Sequence, residues 1–351
     1  MERNKQTITQ RQGNRIFILE TFSAAALFLP KIALKESPGF GILTVTAVCI
    51  LLCIYFFSVS KAGEGISMDE VLKTYSWAAF LYYIRFLINA SFFYSYIISM
   101  VSRYLLPQSP AIFIGFPLIV LAYMVNQGGL QERGRVMEGI FWFVLLPVIF
   151  VLLLSVTDLN FKELAVHDFR WIGLGKGSLL LLSLLHPIEF LWFYRGDMQK
   201  GKMKLTSILG IAVLFLGIFC ATVGSLGTRL TMEDANPVMS MAQGVAMPGG
   251  IMARLDIFLI VFWIVGVFCV FSGYLFYGNE SLNYVFGKRR KAGIIISYGG
   301  LLLLTDVVFK FQKVWLASFS WFLYGNFIVG FLLPAGLFFA LKRRRQHEKE
   351  Q

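Results

Sequence analysis

The sequence predicts an all-α polytopic membrane protein with ten transmembrane helices, and three observations carry that fold class. The 351 residues are 57% hydrophobic and only 15% charged, with a mean hydropathy of +0.69, outside the range of soluble domains. The apolar residues fall in blocks of about 20, the length a helix needs to cross a bilayer. The basic residues collect between those blocks with a two-to-one sidedness, as membrane topology requires.

Taken in order, the polar segment 1–15 reads as a cytosolic tail and not a signal peptide, because the first apolar block is followed by another and not by a cleavage site. Spans are expected at 16–35, 38–60, 74–101, 110–126, 138–157, 177–195, 205–224, 251–277, 292–305 and 315–341. The ninth is short and the third and eighth are long, which predicts tilt or interfacial ends. With both termini inside, the cytosolic segments hold 21 Lys and Arg against 10 outside, anchored by "KRRK" at 288–291 and "KRRR" at 342–345. The longest polar stretch, 225–250, predicts an outer loop carrying a short helix. The whole chain, 1–351, then forms one membrane domain: a five-helix repeat over 16–157, a second over 177–341, and a basic tail at 342–351.

Several function classes drop out. The net charge of +12 follows topology and does not imply nucleic acid. Cys49, Cys53, Cys220 and Cys269 lie in apolar blocks without paired spacing, and His167, His186 and His347 are scattered, so no disulfide, metal or other cofactor is expected. "GLGKGS" at 173–178 lacks phosphate-loop spacing and follows no strand. No catalytic constellation emerges, and the chain is not expected to be an enzyme.

Ten spans divide into two sets of five. Secondary transporters built from such halves in opposite topology bind substrate where discontinuous helices meet near mid-membrane. Here the first span of each half is interrupted. Span one, "RIFILETFSAAALFLPKIAL", carries small residues at Ser23, Ala24, Ala25 and Ala26, then Pro30. Span six, "GSLLLLSLLHPIEFLWFYRG", is broken by His186-Pro187-Ile188-Glu189. Pro187 has no N–H to donate, which frees the carbonyl four residues back at Ser183. Such a carbonyl requires protein, water or ligand. A proline kink with no ligand nearby, or small residues that only allow close packing, remains the bland alternative.

Glu20, Arg85 and Glu189 are ionisable residues inside apolar spans, where such groups pair or serve function. At about 1.5 Å per residue, Glu20 lies roughly 6 Å, Glu189 roughly 9 Å and Arg85 roughly 10–16 Å from the inner face. The expectation is that Arg85 bridges both glutamates and closes the cytosolic side of a cavity, the alternative being separate snorkelling to water. Tyr82, Tyr83 and Asn89 lie near the same depth, where they would cap a small polar ligand. His186 is a candidate for proton coupling against the ordinary reading of a hydrogen-bonded helix residue. Ser272 in span eight is a candidate cation ligand.

"ITQRQ" before span one, "FLP" at its end, "DLNFKEL…WIGLGKGSLLLLSLLHPIEF" and "ARLDIFLIVFWIVGVF" together resemble the endospore germination permease family, the B-subunits of bacterial spore germinant receptors. The resemblance covers nearly the whole chain. It implies a LeuT-like 5+5 inverted repeat of the amino acid–polyamine–organocation class, in the spore inner membrane. It also implies a nutrient ligand, often an amino acid, and two partners, a larger membrane A-subunit and a C-subunit lipoprotein. By position, the ligand site maps onto Ser23–Ala26 and Ser183–Glu189. Where the family pattern has a glycine just before the span-six glutamate, this chain has Pro187-Ile188. The competing functions are an ion-coupled amino acid transporter and a non-binding scaffold.

Overall fold

The computed structural model describes residues 7–62, 66–199, 203–244, 255–286, 290–310 and 319–350. Among these residues the secondary structure is helical, and the single β contact is a parallel bridge between Ile8 and Met198. Ile8 N–H donates to Asp197 O (3.0 Å) and Gln199 N–H to Ile8 O (2.8 Å).

Helix α1 (Gln10–Ala25) starts at a capping box, in which Thr9 Oγ1 accepts from the Gln12 N–H and Gln12 Oε1 from the Thr9 N–H. Helix α2 (Leu29–Lys35) follows with Pro30 in its first turn, where a missing N–H costs nothing. Next come α3 (Gly41–Ala62), the short α4 (Met68–Thr74), α5 (Ser76–Tyr104), α6 (Ala111–Gln127) and α7 (Gly129–Ser155). The second half runs through α8 (Trp171–Leu184), α9 (Phe190–Tyr194), α10 (Leu205–Glu233), α11 (Pro237–Gly244), α12 (Leu255–Phe286) and α13 (Arg290–Lys310). It ends with α14 (Phe319–Phe327) and α15 (Leu333–Glu350), joined by a π-helical turn at Ile328–Leu332.

Among the described residues, six helices are long and apolar enough to cross a membrane, and two bent pairs qualify when each is taken as one span: Gln10–Ala25 with Leu29–Lys35, bent by 58°, and Trp171–Leu184 with His186–Asp197, bent by 57°. Two shorter apolar helices, Ala111–Gln127 and Gly293–Val307, coincide with the fourth and ninth expected segments. Lengths differ from expectation in places. The fifth segment begins at Gly129 and not at 138, and the sixth at Trp171 and not at 177. The seventh continues to Glu233 through a non-helical Gly227 (φ 80°). The expected helix of the 225–250 loop is α11, of which 245–250 lie outside the described residues. "KRRK" at 288–291 likewise falls partly outside them.

Apolar side chains cover the outer surface, with Ile112, Phe113, Phe116 and Met124 of α6 all exposed. A face of that kind suits lipid, not water. Inside, α12 packs most extensively on α5, and their contact is filled with rings. Phe86, Phe190 and Tyr274 meet at centroid distances of 4.6–5.7 Å, and Phe190 also meets Tyr277 in a tilted contact at 4.7 Å.

Candidate functional site

In the first break, α1 ends at Ala25 and a turn closes with Phe28 N–H donating to Ala25 O (3.0 Å) before α2 begins. Ser23, Ala24, Ala25 and Ala26 are all buried. Gly266 of α12 lies directly over Ser23, leaving no room there for a larger residue. Ser23 Oγ has no hydrogen-bond partner among the described residues.

The second break has its own internal chemistry. Helix α8 stops at Leu184, His186–Glu189 form a 3₁₀ turn, and α9 continues from Phe190. The Ser183 carbonyl that Pro187 frees was expected to face a cavity. Instead, His186 Nδ1 lies 2.9 Å from it and covers it. A carbonyl only accepts, so Nδ1 carries the proton and Nε2 presents a bare lone pair. Among the described residues that buried Nε2 has no partner, and neither do the hydroxyls of Tyr82 and Tyr274. Tyr274 stacks on His186 at 5.9 Å. Buried polar atoms usually find partners, so a group of them left without any beside a helix break marks a place to look for a ligand.

Two ion pairs flank the breaks. Arg85 of α5 grips both carboxylate oxygens of Glu189 through Nη1 and Nη2, and its Nε donates to Asn326 Oδ1 (2.8 Å). Asn326 in turn exchanges hydrogen bonds with Asn89 (2.9 and 3.2 Å). Gly330, in the π-helical turn, lies against this pair, and a Cβ there would sit 3.1 Å from Arg85 Nη2. Glu20 binds elsewhere. Arg133 of α7 donates through Nη2 to Glu20 Oε1 (2.6 Å) and Cys269 O (2.7 Å), and through Nη1 to Ser272 Oγ (2.9 Å).

The expected three-membered bridge is therefore two separate pairs. Arg85 is directed to Glu189 and Asn326, and Glu20 is taken by Arg133. Ser272, expected to hold a cation, holds the Arg133 guanidinium instead. Arg133 and Asn326 are the residues missed from sequence. Arg133 reads as a loop charge when the fifth span starts at 138, but it shares a helix face with buried Leu130, Met137 and Phe141, and that spacing was a usable signal. Asn326 is a lone amide in an apolar block.

The rings of Phe86, Phe190, Phe193 and Tyr274 pack together between α5, α9 and α12, beside the place where a central chamber was expected. A polar cleft between α6, α12 and α13, lined by Asn126, Asn279, Glu280 and Tyr298, encloses about 20 Å³. A second, wholly apolar one beneath α11, lined by Phe22, Ala26, Trp263 and Met241, is of the same size. Each has room for about one water molecule.

Apolar helices, two of them broken around buried charge, define a polytopic helical membrane protein. Residues 7–314 match the family model described as spore germination protein, the Spore_permease family, and the chain belongs to that family. It is similar to the spore germination protein YndE of Bacillus subtilis (strain 168), at 22% identity over 306 residues covering 80% of this chain and 82% of that protein. Membership makes this a germination-related membrane protein.

Proposed function

We propose that the chain is the nutrient-sensing subunit of a spore germinant receptor. It binds a small nutrient, an amino acid, where spans one and six break, between spans one, three, six and eight, and passes the signal to the A- and C-subunits. The observation that carries this reading is the pair of breaks at corresponding places in the two halves, bent by 58° and 57° and bordered by buried polar atoms without partners. In this reading the ten apolar segments form a LeuT-like 5+5 inverted repeat (16–157 and 177–341) within one membrane domain, with both termini cytosolic, in the spore inner membrane. Ser23–Ala26, Ser183, His186 and Glu189 border the ligand from the two breaks, with Tyr82 and Asn89 from span three. Because rings pack beside that place, the ligand binds by displacing them, and it signals through its difference in affinity for the closed and opened arrangements.

The test uses the purified full chain in proteoliposomes with labelled amino acids. Saturable binding that Ala25→Phe weakens at least about tenfold, a change of about 1.4 kcal/mol, is expected. Unaltered binding by a folded Ala25→Phe protein would overturn the site. Uphill accumulation driven by an ion gradient would replace sensing with transport by the same pocket.

A further inference from the structure

The polar cleft between α6, α12 and α13 carries chemistry that neither the breaks nor the ion pairs use. It lies where α6 ends, at Asn126 and Gln127, and where the apolar run of α13 begins, at Gly293. Helix ends of a membrane protein sit at the level of the lipid headgroups. Asn126 donates through Nδ2 to Ser272 O (3.1 Å), so its Oδ1 is left over, buried and without a partner among the described residues. The buried hydroxyl of Tyr298 is in the same state. An amide oxygen only accepts, as does the carboxylate of Glu280, the one charge among the described residues that line the cleft. What enters must therefore donate, and an anion is unsuited. The rings of Tyr123, Phe276 and Tyr298 form the walls, with Tyr123 and Tyr298 edge to face at 6.0 Å. Aromatic walls beside a carboxylate suit an organic cation. A quaternary ammonium has no N–H for the two unpartnered oxygens, whereas a primary ammonium has three. Size narrows the choice further. About 20 Å³ admits a group the size of one water molecule, which an ammonium is and a whole amino acid is not. The rest of the ligand must lie outside, along flanking helices where Met124 of α6 and Ile295 and Ile296 of α13 are exposed. Such side chains suit acyl chains.

We propose that this cleft binds a primary ammonium group, supplied by an aminoethyl phospholipid headgroup or by a free amine. Asn126 Oδ1, the Tyr298 hydroxyl and Glu280 accept its three N–H bonds, and the rings stabilise its charge. The inference goes beyond the nutrient reading, since it concerns α6, α12 and α13 and needs no ligand at the breaks.

Thermal unfolding of the purified full chain in maltoside micelles tests the site. The probes are phosphatidylethanolamine, phosphatidylcholine with the same acyl chains, and ethanolamine alone. Phosphatidylethanolamine is expected to raise the midpoint saturably by about 2–4 °C. Phosphatidylcholine, which differs only by the methyl groups on its nitrogen, is expected to leave it unchanged. A rise with ethanolamine supports a free amine as the source, and its absence beside a rise with phosphatidylethanolamine supports the lipid. Equal rises with the two lipids, or no rise with any probe, would overturn the proposal and leave the cleft to water. Tyr298→Phe removes one acceptor and no bulk, and should raise the half-saturating concentration about threefold or more. Glu280→Gln removes the charge and should raise it further, about tenfold. A response unchanged in both folded variants would refute the site. If Glu280→Gln does not fold, Tyr298→Phe decides alone, with an unchanged response again refuting it.

Discussion

Two buried arginines face two buried glutamates in this molecule, and they are held differently. Arg85 uses every nitrogen: two on the two oxygens of Glu189, and the third on an asparagine that is itself locked to another asparagine. Arg133 leaves Nε idle and takes one oxygen of Glu20, sharing its remaining bonds with a hydroxyl and a main-chain carbonyl. Each pair joins one broken span to two other helices. The first ties α5, the turn before α9, and α14; the second ties α7, α1 and α12. The placement is matched and each guanidinium donates three hydrogen bonds, but Arg85 puts two of them on its carboxylate as a fork and Arg133 only one. A bidentate pair behaves as a strut, whereas a pair joined through one oxygen separates at lower cost.

That contrast can be broken most directly by neutralising each carboxylate in turn. In Glu189→Gln the new NH₂ faces one arm of the arginine fork, donor against donor, and a loss of about 3–5 kcal/mol is expected in reversible unfolding of the reconstituted protein. Glu20→Gln keeps an acceptor for the one bond that exists and leaves Arg133 its other two partners, so about 1.5–3 kcal/mol is expected. Equal losses would erase the distinction. His186→Ala sharpens it at the break itself by uncovering the Ser183 carbonyl, at about 1–3 kcal/mol in the same assay.

The smallest effect is expected at a solvent-facing charge outside the pairs. Partial burial of Asp234 raises its affinity for a proton, but hydrogen bonds from Ser240 and the Asn236 N–H, with the charges of Lys31 and Arg103, outweigh this and hold the carboxyl below the usual range. Its contribution is complete above the ordinary aspartate value of about 4 and fades as pH falls through the lowered one. The gap in unfolding midpoint between wild type and Asp234→Asn should be constant at neutral pH and close on acidification below about pH 4.

Much of this was legible in sequence because hydrocarbon enforces simple rules. Apolar block length located the six long apolar helices and the two bent pairs among the described residues. Pro30 and Pro187 located the two breaks, and similar depth brought Arg85 and Glu189 together. What escaped depended on three-dimensional detail. Arg133 sits two residues from Arg135 in a stretch that reads as loop, and only the helix starting at Gly129 turns one inward and leaves the other outside. The role of His186 was open between proton carrier and helix partner. In the structure its Nδ1 lies on the Ser183 carbonyl that its own neighbouring proline frees, a contact the sequence did not spell out. Ring packing was not readable at all, since 35 phenylalanines offer many equivalent ways to fill the same volume.

The short bridge between Ile8 and Met198 has a mechanical meaning. It staples the chain just before the first bent pair to the chain just after the second, so α1 and α9 travel as a single lever. Any widening of the interior must then come from the surrounding helices swinging away from that lever, or from α2 and α8 hinging on it, and not from α1 and α9 parting.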